Sequence, residues 1–154
     1  MTGKSHDRAD EGDTTTGARL ASPLDRLLGY RLRRASMMLM SDIVSVLRPF
    51  NLSVGEASLL IVVGANPGCR QSDVGRALEI KRANLTPLVG RMKARDLITD
   101  APIDGRSLSL TLTCEGLALQ SEILARIEAS DSKARDQLNI DQQSLLAALR
   151  EIAP

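Results

Sequence analysis

Arg82, Asn84, Thr86, Arg91 and Arg95 fall within the run Lys81–Arg95, interleaved at helical spacing with Leu85, Leu88 or Val89, and Met92. The apolar set can face a core while the guanidinium, amide and hydroxyl groups occupy the remaining faces. Such a basic amphipathic helix suits insertion into a DNA groove, although a solvated surface helix carries the same pattern. The chemistry of catalysis is harder to assemble. The only histidine, His6, lies in a polar leading segment, and no nucleophile–base pair, phosphate loop or metal cluster is legible. The expectation is therefore no enzyme, no catalytic residues, no metal and no cofactor. Cys69 and Cys114 fit neither a zinc site nor a disulfide framework, which reads as a reducing, cytoplasmic setting.

The distribution of charge sharpens the choice. The 154 residues carry a net charge of only +1, too little for a nucleic-acid binder if it were spread evenly. Residues 70–95, however, hold seven basic residues against two acidic ones, hence +5, while the segment from Cys114 onward holds four against seven, hence −3. A local basic face on a nearly neutral protein is the electrostatic footprint of specific DNA binding. At 43% hydrophobic and 25% charged, the chain has the composition of one globular domain with a real core. Tyr30 and Phe50 are its only tyrosine and phenylalanine and it has no tryptophan, so that core is aliphatic, which favours helices. There is no apolar signal core and no run that approaches a membrane span.

The elements that must position the basic run can be read in order. Residues 1–20 are polar and turn-rich and are expected to form a disordered tail. From Pro23 to about Leu47, the residues Leu24, Leu28, Leu32, Ala35, Leu39, Ile43 and Val46 step by four or three, predicting one long amphipathic helix. Leu27, Tyr30, Met38 and Leu47 widen its stripe beyond what one small neighbour covers, so both a partner subunit and the protein's own core are open as its cover. Ser53-Val54-Gly55-Glu56 is a capping box opening a helix that Asn66-Pro67-Gly68 stops. A short segment around Cys69 and Arg70 follows. Gln71–Leu78 then makes a short helix with Val74, Ala77 and Leu78 inward, and Glu79-Ile80-Lys81 a tight turn into the basic helix. This is the helix-turn-helix spacing, in which the second helix enters the major groove. Pro87 lies beyond the first turn and should bend that helix.

Downstream, Leu97-Ile98-Thr99 and the alternating Ser107–Leu112 read as strands, joined by Ala101-Pro102-Ile103-Asp104-Gly105-Arg106. Asp-Gly between strand-like runs signals a hairpin. Placed directly after the second helix, it is the wing of a winged helix, with Arg106 at a tip that can enter the minor groove. Thr113 caps a long helix through Leu117, Leu124 and Ile127, and Asp141 caps another containing Leu145, Leu146, Leu149 and Ile152. The fold class is mainly α with a small β-hairpin wing (α+β): a winged helix-turn-helix lobe over 53–113 between helical segments at 21–52 and 114–154.

Gln71-Ser72-Asp73-Val74, Arg82-Ala83-Asn84-Leu85-Thr86-Pro87-Leu88-Val89, Asp96-Leu97-Ile98, Asp104-Gly105-Arg106 and Leu112-Thr113-Cys114-Glu115-Gly116, in that order, resemble the MarR family, the multiple-antibiotic-resistance type of bacterial transcriptional regulator. The resemblance runs from about Leu24 to the C-terminus. It implies a homodimer held by the first helix and the last two, with two winged lobes reading a palindromic operator in double-stranded DNA, usually as a repressor. Carried over by position, Arg82, Asn84 and Thr86 are candidates for base edges, since Arg pairs bidentately with guanine and Asn with adenine. Gln71, Ser72, Lys81 and Arg91 suit phosphate. Arg95 reads as a charge complementing its own helix C-terminus.

The resemblance also implies a signal that releases the DNA. In this family effectors are often aromatic acids, and Tyr30, Arg34 and Met38, one turn apart on the first helix, offer a hydroxyl, a carboxylate-pairing cation and a soft wall. Dimer packing with Arg34 solvated accounts for the same residues. Leu-Thr-Pro-Leu at 85–88 is similar to the organic-hydroperoxide-sensing branch, but Gly29 stands where that branch carries its reactive cysteine. A thiol switch at Cys69 or Cys114 is the alternative; Cys114 at a helix N-terminus also reads as a small structural residue.

Overall fold

The computed structural model describes residues 22–104 and 107–153. The expected leading tail, 1–20, and the wing tip, Gly105 and Arg106, lie outside the described residues. The first helix is shorter than its periodicity predicts. Pro23–Arg26 forms a separate 3-10 turn, Leu27 is extended (φ −89°, ψ 122°), and α1 spans Leu28–Leu47. The interruption has a local cause: the Leu27 N–H closes the turn on the Leu24 carbonyl, while Arg31 Nε reaches back to the Asp25 carbonyl at 2.9 Å. A second 3-10 turn, Arg48–Phe50, ends at Asn51 in the left-handed region (φ 51°).

The capping box then opens α2 (Val54–Ala65): Ser53 Oγ accepts from the Glu56 N–H, and Glu56 Oε2 accepts from the Ser53 N–H at 2.9 Å. Gly68, with φ +78°, turns the chain into β1 (Cys69–Arg70), which leads directly into α3 (Gln71–Ala77) and then α4 (Arg82–Ala94). Val74 is buried and Leu78 half-buried as expected, but Ala77 is exposed, because the helix ends there. Pro87 is exposed and α4 runs through it unbroken.

The wing is a sheet of order β1-β3-β2, in which β3 (Ser107–Leu112) pairs antiparallel with both β1 and β2 (Ile98–Asp104). The first wing strand is thus longer than Leu97–Thr99, taking in Ala101, Pro102 and Ile103, which read as connection. Pro102 is tolerated because β2 is an edge strand, and the register shifts just after it, between Pro102 and Asp104, which leaves Ile103 as the extra residue. The segment at Cys69 and Arg70, unassigned from sequence, is the third strand.

Leu47, Leu59, Leu60, Val63, Leu85, Met92, Ile98, Leu110 and Ile123 are fully sequestered or nearly so, joining the end of α1, α2, α4, the sheet and α5 (Cys114–Arg135) in one core. Each such side chain contributes about 1.5–3 kcal/mol relative to an exposed one. This core ties the base of the long helices to the winged lobe. Away from it the apolar faces are open: Leu28 is 65% exposed, Met37 61% and Met38 67%, and α6 (Gln142–Ile152) has no buried residue. Among the described residues no single helix is long and apolar enough to cross a membrane.

Candidate nucleic-acid interface

Two helix ends and one strand converge at the proposed reading face. The turn between α3 and α4 is closed by a Schellman arrangement: the Ile80 N–H bonds the Gly75 carbonyl at 2.9 Å and the Glu79 N–H the Arg76 carbonyl at 3.2 Å, with Glu79 at φ 54°. That geometry needs a left-handed residue, and no glycine is there to announce it in the sequence. The same construction ends α4, where Asp96 (φ 56°) lets the Leu97 N–H reach the Met92 carbonyl.

Gln71, Ser72 and Arg82 share a cleft of about 470 Å³ with Arg70, Arg76 and the start of β3, Ser107 and Leu108. Across it Gln71 Nε2 donates to Thr86 Oγ1 at 3.4 Å, and Thr86 Oγ1 donates to the Arg82 carbonyl at 3.0 Å. The structure thus brings Gln71, Ser72, Arg82 and Thr86 into one surface beside the wing. Lys81 and Asn84 are exposed next to them, at the N-terminus of α4, which has no side-chain cap. Arg76 is paired with Asp73.

The cations at the other end of α4 are exposed but bonded to neighbouring elements. Arg91 Nε donates to Glu56 Oε1 at 2.7 Å, Lys93 Nζ lies 2.5 Å from Asp100 Oδ1, and Arg95 donates through Nη1 and Nη2 to the Asn51 and Phe50 carbonyls, each at 3.0 Å. Two of these cations have partners that the sequence does not show. Arg91, read as a phosphate contact, has a protein partner, and Arg95 serves the end of the Arg48–Phe50 turn rather than its own helix. Glu56 and Asp100 lie outside the window that read as +5, so including them lowers the local excess to +3. The basic footprint is narrower than the sequence suggests and concentrated at the N-terminal end of α4. Burial pushes the Glu56 carboxyl up, but hydrogen bonds from Arg91 and Ser53 outweigh it and hold the group below its ordinary value.

The candidate effector residues separate. The Arg34 guanidinium lies 5.9 Å from the Tyr30 ring centroid and its Nη1 4.0 Å from Asp25 Oδ1. Met38 instead lines a cleft of about 400 Å³ between α1 and α5, with Asp42, Ser45, Ser130 and Lys133. Both cysteines are free thiols; burial pushes the Cys69 thiol up, which disfavours the reactive thiolate, and Cys114 is exposed at the start of α5.

The profile of the MarR family matches residues 50–107, from the end of the first 3-10 corner through the wing. The HTH-type transcriptional repressor Rv2887 of Mycobacterium tuberculosis (strain ATCC 25618 / H37Rv) is 27% identical over 121 residues, 77% of this chain and 87% of that protein. The transcriptional repressor CouR bound to a 23-mer DNA duplex has a TM-score of 0.80 at 28% identity, covering 89% of this chain and 100% of that one. Over its winged lobe the chain matches the MarR family, and over most of its length it is similar to transcriptional repressors. CouR bound to p-coumaroyl-CoA is similar to this chain as well, with a TM-score of 0.76 at 28% identity over 88% of this chain and 98% of that one. A DNA-binding winged helix is thus the shared core of the likeness, with the short α3, the exposed N-terminus of α4 and the β2–β3 wing as its parts.

Proposed function

We propose that this protein is a homodimeric repressor of the MarR type that reads a two-fold operator and is released from it by an aromatic acid or the coenzyme A thioester of one. The observation that carries this reading is the surface built from Gln71, Ser72, Arg82 and Thr86 beside the wing, with Lys81 and Asn84 exposed on the same helix end. Arg82, Asn84 and Thr86 meet base edges in the major groove, Gln71, Ser72 and Lys81 meet phosphate, and Arg106 enters the minor groove from the wing. The uncovered apolar faces of α1 and α6 are the dimer contacts, being too wide for a monomer of this size to leave in water. The half-sites of a two-fold dimer lie about 10 bp, or a multiple of that, apart.

An effector releases DNA only by binding one spacing of the lobes better than the other. The CouR complex with p-coumaroyl-CoA motivates the choice of ligand class, and Tyr30, Arg34 and Met38, though they do not share one cleft, are its candidate contacts on α1. The deciding experiment is footprinting of the purified protein on its own upstream DNA, repeated with salicylic acid, p-coumaroyl-CoA and hydrogen peroxide. Protection of a two-fold site lifted by either aromatic compound is the expected result. Protection lifted by peroxide alone transfers the sensing role to a cysteine, and no protected site removes the reading.

A further inference from the structure

The cations of α4 divide along its length. The side chains of Lys81 and Arg82, at its start, make no hydrogen bond or ion pair among the described residues, whereas those of Arg91, Lys93 and Arg95, at its end, are all bonded within the protein. Two of the three converge on one short stretch, the corner between α1 and α2. Arg91 takes Glu56, which is only 8% exposed and whose second oxygen, Oε2, already accepts from the backbone and hydroxyl of Ser53 at 2.9 and 2.8 Å. Arg95 takes the carbonyls of Phe50 and Asn51, the latter in its left-handed conformation. The same corner is held from the other side by α5, whose Arg126 guanidinium lies 5.0 Å from the Phe50 ring centroid. Arg91 and Arg95 are one turn apart, so together they bind two points of the corner and resist both sliding and rotation of the helix.

We propose that Glu56, Arg91 and Arg95 are positioning residues for operator reading, which set the placement of α4 on the 50–56 corner, and that Arg91 makes no phosphate contact. The inference rests on the proposed function in requiring that α4 reads DNA. Base-edge hydrogen bonds fail over displacements of a few tenths of an ångström, so a helix that shifts on its seat loses specific contacts before it loses electrostatic attraction. A phosphate contact behaves in the opposite way, weakening all sequences alike and lowering the salt slope by about one.

The test is fluorescence anisotropy of the full chain on its footprinted operator and on a random duplex, over a range of salt, for wild type, Glu56→Gln, Arg91→Ala and the double variant. Glutamine preserves the capping box, so α2 stays capped while the ion pair is lost. Positioning predicts that each single variant weakens operator binding about tenfold, the size of one lost base contact, with the random duplex little changed and the salt slope as in wild type. It also predicts that the double variant is no weaker than either single one. If Arg91→Ala weakens both duplexes equally and lowers the slope by about one, or if Glu56→Gln binds the operator as tightly as wild type, the proposal is overturned. Thermal unfolding of each variant separates loss of fold from loss of placement, and Arg95→Ala, whose parent side chain is exposed, supplies an independent variant should Glu56→Gln not fold. A wild type that binds no operator refutes the proposed function instead, a distinct outcome.

Discussion

Glu79 carries a side chain in a left-handed conformation that costs roughly 1 kcal/mol relative to the ordinary helical region. Its Schellman hydrogen bonds hold it there, because α3 and α4 can meet at this angle only if the chain turns so. Glycine would relieve the strain and give back part of the gain through the entropy of the unfolded chain. Glu79→Gly is therefore expected to raise stability by up to about 1 kcal/mol, read as a higher denaturant midpoint; a lowered midpoint would show that Glu79 is not strained. Asn84 makes the complementary case on function. Asn84→Ala should change base preference more than non-specific affinity, and an unchanged sequence profile in a binding-site selection would argue against direct readout. Glu56 has a signature in pH. Its folded carboxyl sits below its unfolded value of about 4.3, so the ion pair's stabilisation is fully present above that value and is lost as pH falls through the folded one. Acid unfolding of Glu56→Gln should be correspondingly shallower below about pH 4.3, which a pH series of unfolding curves measures.

At the scale of elements, the junction of α5 with the lobe is the tightest contact. Thr113 caps α5 through the Gly116 N–H at 2.9 Å and also donates its hydroxyl to the Asp96 carbonyl at 2.7 Å, while its own N–H bonds Leu97 O at 3.1 Å. The first turn of α5 thereby presses on the backbone that ends α4. A Cβ at Gly116 would lie 2.0 Å from Leu97 O, a clash with backbone that no rotamer relieves. Gly116→Ala is expected to cost on the order of 1–3 kcal/mol or more, seen as a lower Tm; a wild-type Tm would mean the two segments can separate freely. The wing is the opposite kind of element, extended and edge-exposed. Arg106→Ala should weaken operator binding while leaving the oligomeric state unchanged, and unchanged affinity at moderate salt would take the wing out of the mechanism.

The whole molecule is asymmetric in how it buries its surface. Around the sheet the aliphatic core is closed, whereas the outer ends of α1 and α6 leave Leu28, Met37 and Ile152 more than half exposed. A second copy of the chain is the partner that the proposed function supplies. Leu28→Glu combined with Ile152→Glu should leave the winged lobe folded but shift sedimentation toward a monomer and lower operator affinity steeply, since one lobe reads only one half-site. A double variant that remains dimeric would place the interface elsewhere.

Local rules determined much of this protein before folding is considered. The capping box at Ser53 and the caps at Thr113 and Asp141, the apolar period of Leu85, Val89 and Met92, the alternation of Ser107–Leu112 and the ordered short motifs each depend on residues within a turn or two of one another, and each is legible. What tertiary structure alone decided lies where distant residues compete for a group. The pairing of Arg91 with Glu56 spans 35 positions and that of Arg95 with Phe50 spans 45, so a cation that looks free in the sequence has a partner within the protein. The strand at Cys69–Arg70 has the same origin, whereas the break at Leu27 and the left-handed Glu79 and Asp96 are closed by bonds within a few residues but carry no glycine to announce them. That strand satisfies backbone groups whose partners the linear order does not specify, since Cys69 pairs with Leu110 and Arg70 with Ser109.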